Sequence, residues 1–293
     1  MWVPATRLRI PRLMAPLAST SVTSPTERRE QLKAVYEQAK HCTRCPLHQT
    51  RTTVVFGSGN ADADLMFVGE APGANEDKQG VPFVGQAGKL LNKLLGEIGL
   101  DRDEVFICNT VKCRPPGNRD PHPNEIESCN EYLRRQVELI QPTVICTLGN
   151  FSTKLLRGDN TGISRLHGQA EERMIGARAI RLYPLYHPAA ALYTPSTLEV
   201  LRADFLRIPD LLAQGAPEQP VFEDEDVPEP ADADAAEAAE EPRSAAAHTL
   251  ADSPGGTSGD SAGDSSSDDP EPDTPDSGMS AEASSETVQL GLF

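Results

Sequence analysis

Four cysteines carry the most specific chemistry in this sequence. Cys42 and Cys45 form a C-x2-C pair, 67 residues separate Cys45 from Cys113, and 15 separate Cys113 from Cys129. Four thiolates grouped in this way are a ligand set for zinc or for a [4Fe-4S] cluster. Zinc ribbons use two close pairs, whereas only one pair here is close, so the spacing leans toward the cluster; buried free thiols are the plain alternative. Pro46, Pro115 and Pro116 stiffen the loops that carry the sulfurs. A group held there would be structural, tying the first helix to the core and presenting Lys112, Arg114 and Arg119 to phosphates. Cys108 and Cys146 sit inside apolar runs and read as small hydrophobes.

A second constellation lies in the loops. Gly69-Glu70-Ala71-Pro72-Gly73 follows an apolar run, so its backbone N–H groups can face a planar heterocycle or an oxyanion. Phe83 stands between small residues in Gly80-Val81-Pro82-Phe83-Val84-Gly85, a setting for a displayed ring that stacks on a base, although a core position is the ordinary role of a Phe. Asn109 ends another apolar run, where its amide could read one edge of a base or simply cap a turn. His187 precedes Pro188, and a lone His is more often structural than catalytic. Gly85-Gln86-Ala87-Gly88-Lys89 imitates part of a phosphate-binding loop, but Phe83 stands where its first Gly belongs and Leu90 where its Ser or Thr belongs.

Positioning these residues requires strands that end where the unusual loops begin. Apolar runs predict strands over 64–69, 104–109, 143–148 and 178–186, and helical spacing predicts helices over 26–41, 89–98, 124–140, 151–156 and 196–212. Residues 70–84 read as a long polar loop. Strand alternating with helix implies an α/β fold with a mostly parallel four-stranded sheet covered on both faces, with ligands beyond the carboxyl ends of the strands.

Charge divides the chain. Residues 216–293 hold 21 Asp and Glu against the single Arg243, a net −20, so the total of −17 leaves +3 for residues 1–215. A mildly basic body is compatible with a nucleic-acid partner. The acidic segment has too few apolar residues to offset its ordering entropy and is expected to be disordered. Residues 1–25 are basic and contain no acid, which suits a disordered arm, a start placed too early with Met14 as the true one, or a transit peptide. No apolar stretch is long enough to span a membrane. Cysteines without a secretory signal point to a reducing compartment, and the expectation is a monomer in a prokaryotic cytoplasm, associated with the nucleoid.

Taken in order, Cys42-x2-Cys45, the 69–73 turn, the 80–85 segment, Asn109-Thr110-Val111-Lys112-Cys113-Arg114-Pro115-Pro116, Cys129 and His187-Pro188 resemble the family 4, iron-sulfur uracil-DNA glycosylases across about residues 35–212. The resemblance implies a three-layer α/β/α fold and a [4Fe-4S] cluster on Cys42, Cys45, Cys113 and Cys129. It also implies DNA repair by hydrolysis of the glycosidic bond of flipped-out uracil. Phe83 would stack on the uracil, Asn109 would read its polar edge and His187 would face O2, in a pocket bounded by Gly69, Glu70 and Ala71. An amide-type donor to the departing anion contributes about 3 kcal/mol. Glu70 either orients the attacking water or acts through its backbone, and Ala71 stands where many relatives have Gly. Leu192 is the candidate wedge for the vacated base stack. Two rivals are a broader deaminated-base glycosylase of the neighbouring family and a non-catalytic, polymerase-associated DNA-binding module.

Apolar letters return at Gln289-Leu290-Gly291-Leu292-Phe293, after the acidic segment. They resemble the pentapeptide that binds the bacterial sliding clamp, with Gln289, Leu290, Leu292 and Phe293 entering its pockets. Residues 215–288 would then be a flexible tether.

Overall fold

The computed structural model describes residues 24–220. The 1–23 arm, the acidic segment from 221 onward and the candidate clamp motif lie outside the described residues.

Four apolar runs form the parallel centre of one sheet: β2 (Leu65–Gly69), β3 (Phe106–Asn109), β4 (Val144–Leu148) and β6 (Arg178–Leu185). Two antiparallel strands extend it, β1 (Ser58–Gly59) beside β3 and β5 (Glu171–Ile175) beside β6. The order is β1-β3-β2-β4-β6-β5, six strands where four were expected. Both additions lacked a readable pattern: β1 is two residues long, and β5 is charged, as suits an exposed edge.

Alternation along the strands sends side chains to two separate cores. Met66, Val68, Phe106, Cys108, Ile145 and Leu182 pack with α1 (Pro25–Lys40) and α4 (Pro123–Ile140). Leu65, Phe67, Ile107, Cys146, Tyr183 and Leu185 pack with α3 (Gln86–Glu97), α8 (Pro195–Phe205) and α9 (Ile208–Ala213), while α5 (Asn150–Arg157) and α6 (Ile163–Leu166) lie between β4 and β5 in the chain. This is the three-layer α/β/α arrangement, and strands buried on both faces explain why they read as continuous apolar runs. Cys108 and Cys146 are buried in it, as expected of small hydrophobes. The first helix begins at a capping box in which Ser24 and Glu27 satisfy each other's backbone N–H groups.

Register decides where the loops emerge. Gly69 lies level with Asn109, Val68 with Thr147, and Leu148 with Leu185. The segments after β2, β3, β4 and β6 therefore leave the same edge of the sheet, where ligands of such folds bind.

Three expectations need correction. The 70–84 stretch contains a helix, α2 (Ala74–Gln79), whose polar residues show no apolar periodicity; it ends at Gly80 in the left-handed conformation. The predicted helix over 196–212 is two helices, because Pro209 lacks the N–H to continue the ladder and starts a new turn instead. Lys112 does not face solvent phosphates. It is 1 % exposed, and its ammonium donates to the Asn109 carbonyl at 2.7 Å and to Gln136 Oε1 at 2.6 Å, while Gln136 Nε2 donates to the Phe56 carbonyl at 2.9 Å. Arg119 is engaged by the buried Glu125 carboxylate, at 2.7 and 2.9 Å, and Arg114 Nε donates to Asn118 Oδ1 at 2.7 Å.

Lys112→Ala should therefore destabilise the protein by about 3 kcal/mol, since it opens a cavity and leaves two buried acceptors unpaired. Urea unfolding followed by circular dichroism measures this; a variant with the wild-type midpoint would refute the assigned role.

Candidate functional site

Gly69, Phe83, Asn109 and His187 converge at the carboxyl edge of the sheet. The parallel pairing of β2 and β3 sets Gly69 beside Asn109. A β-carbon on Gly69 would lie 2.4 Å from Asn109 Oδ1 and 2.7 Å from Phe83 Cζ, so only Gly allows both side chains to close over this point. The Phe83 and His187 rings stack with centroids 5.7 Å apart and planes 28° apart. His187 follows β6 and caps α7 (Pro188–Ala191), and Gly149, in the left-handed region at φ +94, approaches it from the end of β4.

The Phe83 ring is 7 % exposed, so it is a wall of the site and not the freely displayed ring expected of its Gly and Pro neighbours. Its backbone has φ +52, a conformation costly for a bulky residue. Four hydrogen bonds hold it there. Arg102 Nη1 donates to the Phe83 carbonyl at 3.3 Å, Arg102 Nη2 donates to the Pro82 carbonyl, and Glu76 Oε1 accepts from Val84 N and Gly85 N at 3.0 Å each. Gly88, at the start of α3, sits where a β-carbon would be 1.7 Å from the Phe83 carbonyl oxygen.

Burial pushes His187 down to about 4 from an ordinary 6.5. Its Nδ1 accepts from Ala189 N at 3.0 Å. A neutral imidazole accepting at Nδ1 carries its proton on Nε2, so the remaining ring nitrogen is a donor. Glu70 takes part differently. Its carbonyl accepts from Thr110 Oγ1 at 2.5 Å and Val111 N at 3.2 Å, and its half-buried carboxyl is pushed upward by burial and by the neighbouring Asp120. Ala71 belongs to the same turn and is half-buried. Beyond α7, Leu192 is 38 % exposed and Tyr193 is 88 % exposed.

The four cysteines of the spacing argument line one cavity, together with Arg51 and Tyr132 among others. Cys42 and Cys45 come from the segment that follows α1, Cys113 from the loop after β3 and Cys129 from α4. Among the described residues no three His, Cys, Asp or Glu side chains gather as a single-ion site would require. Burial pushes Cys113 up to about 12 and also raises Cys129 and Cys45. Two of these sulfurs nevertheless accept hydrogen bonds, Cys113 Sγ from Arg51 Nη1 and Cys129 Sγ from Lys112 N, each at 3.3 Å.

The sequence profile of the Uracil DNA glycosylase superfamily matches residues 56–207. A type-4 uracil-DNA glycosylase of Sulfurisphaera tokodaii is 48 % identical over 187 residues, covering 62 % of this chain and 85 % of that one. One from Archaeoglobus fulgidus is 44 % identical over 192 residues, covering 64 % and 96 %. The chain belongs to this superfamily, in its type-4 branch. A type-5 uracil-DNA glycosylase of Pyrobaculum aerophilum is more distant, at 31 % identity over 183 residues, 51 % of this chain and 78 % of that one.

Several residues that support the candidate base pocket or the cysteine cavity of this uracil-DNA glycosylase escaped sequence reasoning. Glu76, Arg102 and Arg51 are ordinary charged residues in the sequence, and their roles depend on partners 8 to 62 positions away. Gly88 was visible only as part of a false phosphate-binding motif.

The tautomer is directly testable. Long-range proton–nitrogen correlation spectra should show His187 neutral, with its proton on Nε2, from about pH 8 to about pH 5. The unfolded chain takes up this proton below 6.5 and the native one only near 4. His187 therefore lowers stability as pH falls through that window. A midpoint near 6.5 in the native spectra would contradict the buried assignment.

Proposed function

We propose that this protein excises uracil from DNA by hydrolysing its N-glycosidic bond, with Phe83, Asn109 and His187 as the residues that touch the base. The convergence of these three around Gly69 is the observation that carries the residue-level reading. A base extruded from the helix needs one apolar face to stack on and one polar edge to be read. Phe83 supplies the first and the Asn109 amide the second.

Cleavage leaves negative charge on the departing uracil, and a site accelerates the reaction only through interactions that strengthen as that charge develops. The Nε2–H of a neutral His187, directed at O2, is such an interaction. Glu70 is the proposed group for placing water: its carbonyl is fixed by Thr110 and Val111. Leu192, exposed just beyond α7, is the proposed wedge into the base stack.

A [4Fe-4S] cluster on Cys42, Cys45, Cys113 and Cys129 fits this chain. The support is one cavity shared by four sulfurs, two of which accept hydrogen bonds as electron-rich sulfurs do. When bound, the group supplies a rigid tie between α1 and the loop after β3. The finer partner assignment, a bacterial sliding clamp engaged by Gln289, Leu290, Leu292 and Phe293, rests on the contrast between those residues and the acidic segment before them.

The deciding assay measures uracil release from single- and double-stranded oligonucleotides, beside hypoxanthine- and xanthine-containing controls. His187→Ala should lose about a hundredfold in rate and Asn109→Ala a similar factor, the size expected for one donor to a developing anion. Protein with its metal intact that leaves uracil in place would end the enzyme reading. Iron analysis of the same sample should give about four atoms per chain, against about one zinc for the alternative. For the clamp, a pull-down that retains full-length protein and its 289–293 deletion equally would dispose of that assignment.

A further inference from the structure

We infer that Arg51 acts on the metal site electrostatically, donating a hydrogen bond to the ligand sulfur of Cys113 and raising the reduction potential of the cluster held there. This rests on the [4Fe-4S] reading given above.

Arg51 is tied to both halves of the ligand set. Its Nη1 donates to the Cys42 carbonyl at 2.8 Å and to Cys113 Sγ at 3.3 Å, and its Nη2 donates to the Lys40 carbonyl at 3.1 Å. Lys40 is the last residue of α1, where carbonyls lack helical partners, so the guanidinium also closes that helix end. Two carbonyls fix the plane of a rigid fork and leave its N–H directed at the sulfur. A sulfur is a weak acceptor as a thiol and a much stronger one when it carries charge.

Arg44 also lines this cavity, but it stacks on Tyr132 at 4.4 Å and forms an ion pair with Glu131 at 2.5 Å. Among the described residues no carboxylate lies within ion-pair distance of Arg51; its partners are two carbonyls and a cysteine sulfur. Its charge is thus left for whatever the cysteines hold. Four thiolates around a [4Fe-4S] core make a negative assembly, and reduction adds one further negative charge. A cation hydrogen-bonded to one ligand sulfur stabilises the reduced form more than the oxidised one, and so moves the potential upward. Arg51 is a positioning residue in this account and has no contact with the uracil site.

The test uses full-length, iron-loaded protein without DNA and compares wild type with Arg51→Gln and Arg51→Lys by protein-film voltammetry. Arg51→Gln keeps a donor and removes the charge, so its midpoint should shift to lower potential; Arg51→Lys keeps the charge and should shift less. A midpoint unchanged in Arg51→Gln overturns the inference. If that variant loses its iron, resonance Raman spectra decide instead. Deuterium exchange should move an Fe–Sγ band in wild type that does not move in Arg51→Met, which has no donor, and identical responses overturn the hydrogen bond. Wild-type protein that binds no iron fails the cluster reading itself, whereas loaded protein with unshifted variants fails only Arg51.

Discussion

Phe83 and Asn109 approach each other across the α-carbon of Gly69, in a space that any β-carbon would fill. Everything at the carboxyl edge is arranged around this close approach. It requires the parallel register that levels Gly69 with Asn109. It also requires a loop that returns Phe83 from the far side with an unfavourable positive φ. Such a backbone persists only when its surroundings over-determine it. Here Arg102, Glu76 and the missing side chain of Gly88 do so from three directions. The surroundings thus offset the conformational cost at Phe83 and fix its ring in place.

The loop after β3 couples this site to the cysteine cavity through very few residues. The Asn109 carbonyl accepts from the Lys112 ammonium, the Lys112 amide donates to Cys129 Sγ, and Cys113 follows directly. A group held by the four sulfurs would therefore constrain the chain within four residues of Asn109, the proposed reader of the base edge. Under the proposed cluster assignment, that tie supplements the packing of the segment between β3 and α4. Lys112 serves the same end from inside, buried and hydrogen-bonded where an exposed phosphate ligand was expected.

His187 illustrates the electrostatic side of the design. Burial against Phe83 keeps the ring neutral, and the Ala189 amide selects the tautomer, so a donor is ready without proton rearrangement. The role proposed for His187, stabilising a charge that develops on the departing base, depends on preorganisation of this kind. Glu70 has a different environment, since its carboxyl lies near Asp120 and its carbonyl is already engaged.

Short-range letters determined much of this protein. Fully buried parallel strands must be continuous apolar runs, so β2, β3, β4 and β6 were legible, as were α1, α3 and α4 from their periodicity. The spacing of Cys42, Cys45, Cys113 and Cys129 singled out the residues that share one cavity, and motif order singled out Phe83, Asn109 and His187. Edge strands β1 and β5 were not legible, because an edge carries little buried surface to impose a pattern. Polar partnerships were decided by tertiary structure alone. Whether Lys112 faces phosphates or the Asn109 carbonyl, whether Arg102 is surface or the clamp on Phe83, and which nitrogen of His187 bears the proton all depend on groups distant in sequence. Apolar burial is periodic along a chain and leaves a local trace, whereas a hydrogen bond is a meeting of two particular atoms and exists only once the fold has brought them together.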